Sequence, residues 1–132
     1  MNGNPDGLRR LAKYSKLPVE RIRYFPDADE RVVRAITWGV LFQMAFWSGP
    51  AVQAFAKLTE VVAKLGPEGR IELVVVDIDG SEALSAVSEL LGGVRGAGET
   101  AWVRNGSVVA TSGLGLNVEC FVPNTRAILD AP

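Results

Sequence analysis

No histidine occurs anywhere in the 132 residues, and there is a single cysteine, Cys120. The first absence excludes a Ser-His-Asp or Cys-His catalytic arrangement and a zinc site of the usual Cys/His kind. It also removes the side chain that most readily exchanges protons near neutral pH. The second excludes an intramolecular disulfide. Long apolar runs are missing too. The longest, over residues 35–47, is too short for a bilayer and is interrupted by Gly39 and Gln43. The opening residues, Met-Asn-Gly-Asn-Pro-Asp-Gly, have no apolar signal core. The expectation is a soluble, cytoplasmic protein with no membrane span.

Hydrophobic residues make up 48% and charged residues 22%, so the chain can bury a core of its own. The net charge of −1 argues against a whole-domain nucleic-acid footprint, so no nucleic-acid partner is expected. The balance hides an asymmetry. Residues 1–25 carry six basic side chains (Arg9, Arg10, Lys13, Lys16, Arg21, Arg23) against Asp6 and Glu20, a net of +4. The remainder, eight basic against thirteen acidic, is −5.

The pattern along the chain alternates strands and helices. Leu8, Leu11, Ala12 and Ser15 fall at helical spacing, and Leu17-Pro18 predicts the helix end. Residues 21–25 alternate charged and apolar side chains, as an edge strand does. Acidic residues at 27–30 then open a short helix over 31–35. Residues 37–46 are apolar on both faces, the mark of a central strand. Pro50 suits a first helical position, Phe55, Leu58, Val62 and Leu65 form an inward stripe, and Gly66-Pro67 stops the helix. A second buried strand spans 71–77. Ser81 caps a helix with Leu84, Val87 and Leu91 inward, ended by Gly92-Gly93. Residues 100–103 and 107–111 flank Arg104-Asn105-Gly106, which predicts a β-hairpin. A last helix is expected over 124–130. The order is β-α-β-α-β-α-β-β-α after a basic N-terminal helix. It predicts an α/β layered sandwich with a mixed sheet and right-handed crossovers.

Several motifs in this order carry a resemblance. Trp47-Ser48-Gly49-Pro50-Ala51 follows the central strand and opens the next helix, the place of Trp-Cys-Gly-Pro-Cys. Val75 to Asp79 looks like a strand ending in Asn-Ile-Asp. Gly93-Val94-Arg95-Gly96 looks like Gly-Ile-Arg-Gly, and Arg104-Asn105-Gly106 like Lys-Asn-Gly. Over roughly residues 20–130 the chain resembles the thioredoxin family. That resemblance implies a three-layer α/β sandwich, with residues 1–19 an N-terminal extension carrying a short basic helix and 20–132 the thioredoxin-like domain.

The departures fall on the chemistry. A dithiol enzyme needs an attacking thiolate and a second cysteine that resolves the mixed disulfide. Here the resemblance puts Ser48 and Ala51 at those positions. It puts Phe42 where the family has a buried acid, and Gly98, followed by Glu99, where it has a cis-proline that helps bind extended peptide. What remains of the family's peptide groove is Trp47, Gly49, Pro50, Gly98 and Glu99. The expectation is a redox-inactive module that binds another protein or serves a structural role, with no catalytic residue, cofactor or metal.

Other readings compete. Ser48 as a nucleophile lacks a histidine base or a lysine nearby in sequence; as a helix cap it needs neither. Asp77-Ile78-Asp79-Gly80-Ser81 resembles the Asp-x-Asp-Gly-Thr motif of haloacid-dehalogenase phosphatases, with Asp77 as nucleophile and Asp79 as acid/base. Only 51 residues follow Ser81, none of them lysine, and no Asp-Asp pair is among them. Cys120 suggests a monothiol role, but neighbouring Glu119 works against a thiolate. The glycines at 93–98 and 113–115 lack the helix a nucleotide fingerprint requires. Asn105-Gly106-Ser107 is a formal glycosylation sequon that also reads as a hairpin turn. The basic segment 9–16 is either a solvated face, a contact for an acidic or anionic partner, a dimer contact, or a helix packed across the domain.

Overall fold

The computed structural model describes residues 6–66, 71–80, 98–112 and 118–130. Its elements are α1 (Gly7–Tyr14), β1 (Ile22–Phe25), α2 (Glu30–Arg34), β2 (Trp38–Met44), α3 (Gly49–Leu65), β3 (Glu72–Asp77), β4 (Thr100–Arg104), β5 (Ser107–Thr111) and α4 (Phe121–Asp130). The five strands form one sheet in the order β1-β3-β2-β4-β5. β1 and β2 both run parallel to β3, while β4 is antiparallel to β2 and to β5. The sheet is mixed, as expected. The helix expected after Ser81, with Leu84, Val87 and Leu91, and the Gly93–Gly96 motif lie outside the described residues.

Period-two alternation sorts the core into two halves. Val40, Phe42 and Met44 of β2, Leu73 and Val75 of β3 and Trp102 of β4 face one side, where they meet Phe55, Leu58 and Val62 of α3, Phe121 and Ile128 of α4, and Leu11 of α1. Leu41, Val74, Val76, Ala101 and Val103 face the other side and meet Val33 of α2 and Ile36. This two-sided burial is why β2 and β3 read as continuous apolar runs. Two indole N–H groups tie α4 to the sheet: Trp102 donates to Thr125 Oγ1 at 3.0 Å and Trp38 to the Ile128 carbonyl at 2.6 Å.

Local chemistry explains the element ends. Asp29 caps α2, accepting the backbone N–H of Arg31 at 2.9 Å. Side-chain and backbone hydrogen bonds from Arg31 hold the Asp29 carboxyl below its usual range. Asn105 and Gly106 both have positive φ, 51° and 77°, which makes the hairpin turn a primed one.

Three expectations shift. Pro50 is the second helical residue of α3, because Ser48 caps and Gly49 comes first. Nothing is lost, since the N–H of that position also lacks an intrahelical partner. The last helix begins at Phe121, not Asn124, with Pro123 tolerated in its first turn. The third concerns α1. Its inward residues are Gly7, Leu11 and, partly, Arg10 and Tyr14, while Leu8 is 37% exposed and Ala12 faces solvent. The helix turns this way because Gly7 lies flat against the Tyr24 ring; a Cβ there would overlap the ring atoms. After α1, Lys16 donates its N–H to Thr59 Oγ1 of α3 at 3.0 Å. The basic helix therefore packs across the domain.

Candidate functional site

The turn from β2 into α3 is built from its backbone upward. The Ser48 N–H donates to the Ala45 carbonyl at 3.0 Å, closing the turn. Ser48 takes an extended conformation, φ −108° and ψ 120°, and its Oγ accepts the N–H of Ala51 at 3.3 Å. The hydroxyl oxygen is thus engaged as a helix cap. Ala51 is fully buried. Gly49 and Pro50 are exposed, and Trp47 is 66% exposed, an unusual position for so large an apolar side chain.

Beneath the turn, Phe42 and Gly98, the other positions the resemblance singles out, converge. Phe42 is buried in β2, with its ring centroid 5.5 Å from that of Phe55. Gly98 sits against both Phe42 and α3: a Cβ there would lie 2.6 Å from Ala54 Cβ and 3.1 Å from the Phe42 ring. Its φ is +86°. A proline ring holds φ near about −65°, so the backbone here has left the range that proline can occupy. The aromatic ring of Phe42 and the vacant side of Gly98 are complementary, one filling what the other leaves.

Backbone groups beside Gly98 are spent internally. The Thr100 hydroxyl donates to the Gly98 carbonyl at 2.9 Å. The Glu99 carbonyl accepts the Gln43 backbone N–H at 3.1 Å and Gln43 Nε2 at 3.4 Å. The Thr100 N–H donates to Ser112 Oγ at 2.9 Å. Glu99 itself is 0% exposed. The five residues expected to share a groove therefore divide. Trp47, Gly49 and Pro50 reach the surface, whereas Gly98 and Glu99 are buried and present no side chain to a partner. Glu99 reads as an exposed loop residue in sequence because its burial depends on Gln43 and β4, which no local pattern reveals.

Asp77, the nucleophile of the phosphatase reading, is 2% exposed. Its Oδ1 accepts the Asp79 N–H at 2.9 Å, and Tyr24 donates its hydroxyl to Oδ2 at 3.5 Å. Burial, and then the charge and hydrogen bonding of Asp77, push the Tyr24 phenol well above its ordinary range. Among the described residues, no group of three or more His, Cys, Asp or Glu side chains is placed to hold a metal ion. Cys120 is half-buried, and burial, with Glu119 adding to it, raises its thiol above the ordinary value.

One site residue was not evident from the sequence. Arg10 of α1 donates Nη2 to the Phe46 carbonyl at 3.3 Å, and its guanidinium carbon lies 4.7 Å from the Phe46 ring centroid. The Tyr24 ring meets Phe46 edge-on, centroids 6.0 Å apart. The residue immediately before Trp47 is thus held from above by the N-terminal helix. In sequence Arg10 is one of several charges on a short helix, and nothing marks it from Arg9.

No protein-family model matches the sequence, and neither does any curated protein sequence. Solved structures do resemble the fold. Thioredoxin from Malassezia sympodialis superposes with a TM-score of 0.61 at 16% identity, covering 81% of this chain and 90% of that one. A mutant thioredoxin from Halobacterium salinarum gives 0.59 at 20% identity, with 84% and 93% covered. Oxidised mitochondrial thioredoxin 3 from Saccharomyces cerevisiae gives 0.59 at 18%, with 85% and 97% covered. Among the described residues no helix is long and apolar enough to cross a membrane. Strand order, two-sided packing and these superpositions agree: the chain has the thioredoxin-like fold.

Proposed function

We propose that this chain is a redox-inactive thioredoxin-fold module that binds another protein through the surface around Trp47. The observation that carries the reading is the pairing at the start of α3. Ser48 Oγ is committed to capping Ala51, a buried methyl stands at the second position, and Trp47 projects beside them into solvent. A dithiol exchange site needs two sulfurs there, and the chain's single cysteine lies elsewhere, at Cys120. A large exposed indole is the kind of anchor that dominates protein interfaces.

The geometry gives the phosphatase reading no support. The Asp77 carboxylate faces Tyr24 and the turn at Asp79, where it stabilises the end of β3. The raised thiol of Cys120 likewise favours the unreactive form.

Two measurements test the proposal together. In an insulin-reduction assay with dithiothreitol, the protein is expected to give no turnover above background; clear turnover sinks the redox-inactive reading. In parallel, affinity capture with wild type and Trp47→Ala is expected to yield a protein held by wild type and lost in the variant. Capture that is indifferent to Trp47 moves the binding surface elsewhere.

A further inference from the structure

The turn between β4 and β5 holds a reactive pair. Asn105 is exposed and is followed by Gly106, whose backbone nitrogen no side chain obstructs. Asparagine is among the thermally labile residues, and a following glycine is the reason in this pair. In an unconstrained chain the Gly106 nitrogen attacks Asn105 Cγ. A nitrogen–carbon bond forms, the side-chain amide bond breaks, and ammonia leaves, the proton of the Gly106 nitrogen passing through water to the departing group. Water then opens the cyclic imide at either carbonyl. One product is aspartate on the original backbone. The other is isoaspartate, whose main chain runs through the side-chain carbon and is a methylene longer.

Here the fold holds that nitrogen back. The Gly106 N–H donates to the Ile36 carbonyl at 2.8 Å, and the Asn105 N–H to the Thr37 carbonyl at 2.7 Å. Gly106 also lies close against the end of α2: a Cβ on it would come within 2.8 Å of the Arg34 carbonyl oxygen. Before it can attack, the Gly106 nitrogen must release Ile36, and the turn must lift from the segment that leads into β2.

We infer that Asn105 is a deamidation site gated by the docking of the hairpin turn on residues 34–37. While the turn is docked the amide is preserved, and each local opening exposes it to attack. Loss of ammonia makes the step one-way. Aspartate at position 105 keeps the turn, because a short polar side chain tolerates positive φ. Isoaspartate does not, because the longer backbone changes the spacing of the N–H groups that meet Thr37 and Ile36. The latch is then lost at the end of the β2–β4 ladder, where Trp38 stands opposite Arg104 and ties α4 to the sheet.

The test ages the full chain in mildly alkaline buffer, native and in urea sufficient to unfold it. Peptide mass spectrometry follows Asn105 and separates it from Asn2, which is also followed by glycine. Enzymatic methylation of isoaspartate distinguishes the two products. The expected result is modification of Asn105 in both samples, at least about tenfold slower in the native chain, with slow hydrogen exchange of the Gly106 amide. The isoaspartyl form, isolated by chromatography, should melt below wild type, while Asn105→Asp melts with it. An Asn105 that stays unmodified in urea overturns the site. Equal rates in the native and unfolded chain, or a fast-exchanging Gly106 amide beside slow deamidation, overturn the gate. An isoaspartyl form as stable as wild type overturns the latch.

Discussion

A methyl group placed on Gly98 would lie 2.6 Å from the methyl of Ala54. The loop meets the helix across nothing larger than the Ala54 methyl, at a residue whose φ is +86°. Gly98→Ala therefore meets two penalties: left-handed backbone, about 1–2 kcal/mol, and overpacking, about 1–3 kcal/mol. A loss of about 2–5 kcal/mol in urea denaturation is expected. Ala54→Gly in the Gly98→Ala background should recover part of the steric cost, the rest staying with the Phe42 ring, and give a coupling in a double-mutant cycle. Gly98→Pro should be worse than Gly98→Ala, because proline cannot adopt the backbone angle at all. A neutral Gly98→Pro would mean that the loop is not held as described.

Ser48 is assigned a structural duty, so its loss should register as stability. Ser48→Ala is expected to cost about 0.5–2 kcal/mol, the range for removing a helix N-cap, and Ser48→Asp should restore most of it. Neither variant should change a disulfide-reductase assay. A Ser48→Ala protein as stable as wild type would show that the hydroxyl is not capping Ala51.

Trp47→Ala should do the reverse. The side chain is 66% exposed, so its removal should move stability by no more than about 0.5 kcal/mol. Any binding loss in this variant is then a loss of contact and not of fold. Thermal melts of the two proteins, run side by side, decide this before any binding experiment is interpreted.

Alkaline pH should weaken the fold in a defined sense. The phenol of Tyr24 is raised first by burial and then by Asp77, and the thiol of Cys120 is raised by burial. Both groups are neutral when protonated, so folding favours the protonated form and the unfolded chain ionises first. Their contribution is intact below the unfolded values, about 8.5 for the thiol and about 10 for the phenol, and is lost as pH rises through the folded ones. The urea midpoint should hold steady from neutral pH to about pH 8.5 and fall above it. Tyr24→Phe should flatten the steeper part of that decline. A midpoint that rises above about pH 10 in wild type would contradict the Tyr24 environment.

Much of the fold was legible in the sequence, for reasons that lie in the residues. β2 and β3 declare themselves because burial on both faces leaves no room for polar alternation. The hairpin is marked by Asn105-Gly106, whose types suit positive φ. The turn into α3 was visible because Ser48-Gly49-Pro50-Ala51 carries the Gly-Pro frame of the motif it resembles, with Pro50 marking a helix start. What escaped was every feature that depends on a partner distant in the chain. The buried face of α1 was misjudged because Gly7 contributes an absence, and that absence has meaning only against Tyr24. Glu99 was assigned to the surface because its contact with Gln43 spans 56 residues. Arg10 looked like any solvated charge until Phe46 was placed beneath it.

The position of β1 has a kinetic corollary. This four-residue strand lies at the sheet margin and is paired with β3 alone, across a long stretch of intervening chain in register Ile22↔Leu73. The β4–β5 hairpin, by contrast, closes over a two-residue turn. A strand held on one side only opens more readily than one paired on both, so β1 is expected to fray before β2 and β3. Because Tyr24 supports Phe46, and Arg10 reaches Phe46 from α1, that fraying would take away the support of Phe46, the residue before Trp47. Amide protons of β1 should accordingly exchange faster than those of β2. The lifetime of the closed N-terminal layer then sets how long Phe46 stays clamped between Arg10 and Tyr24.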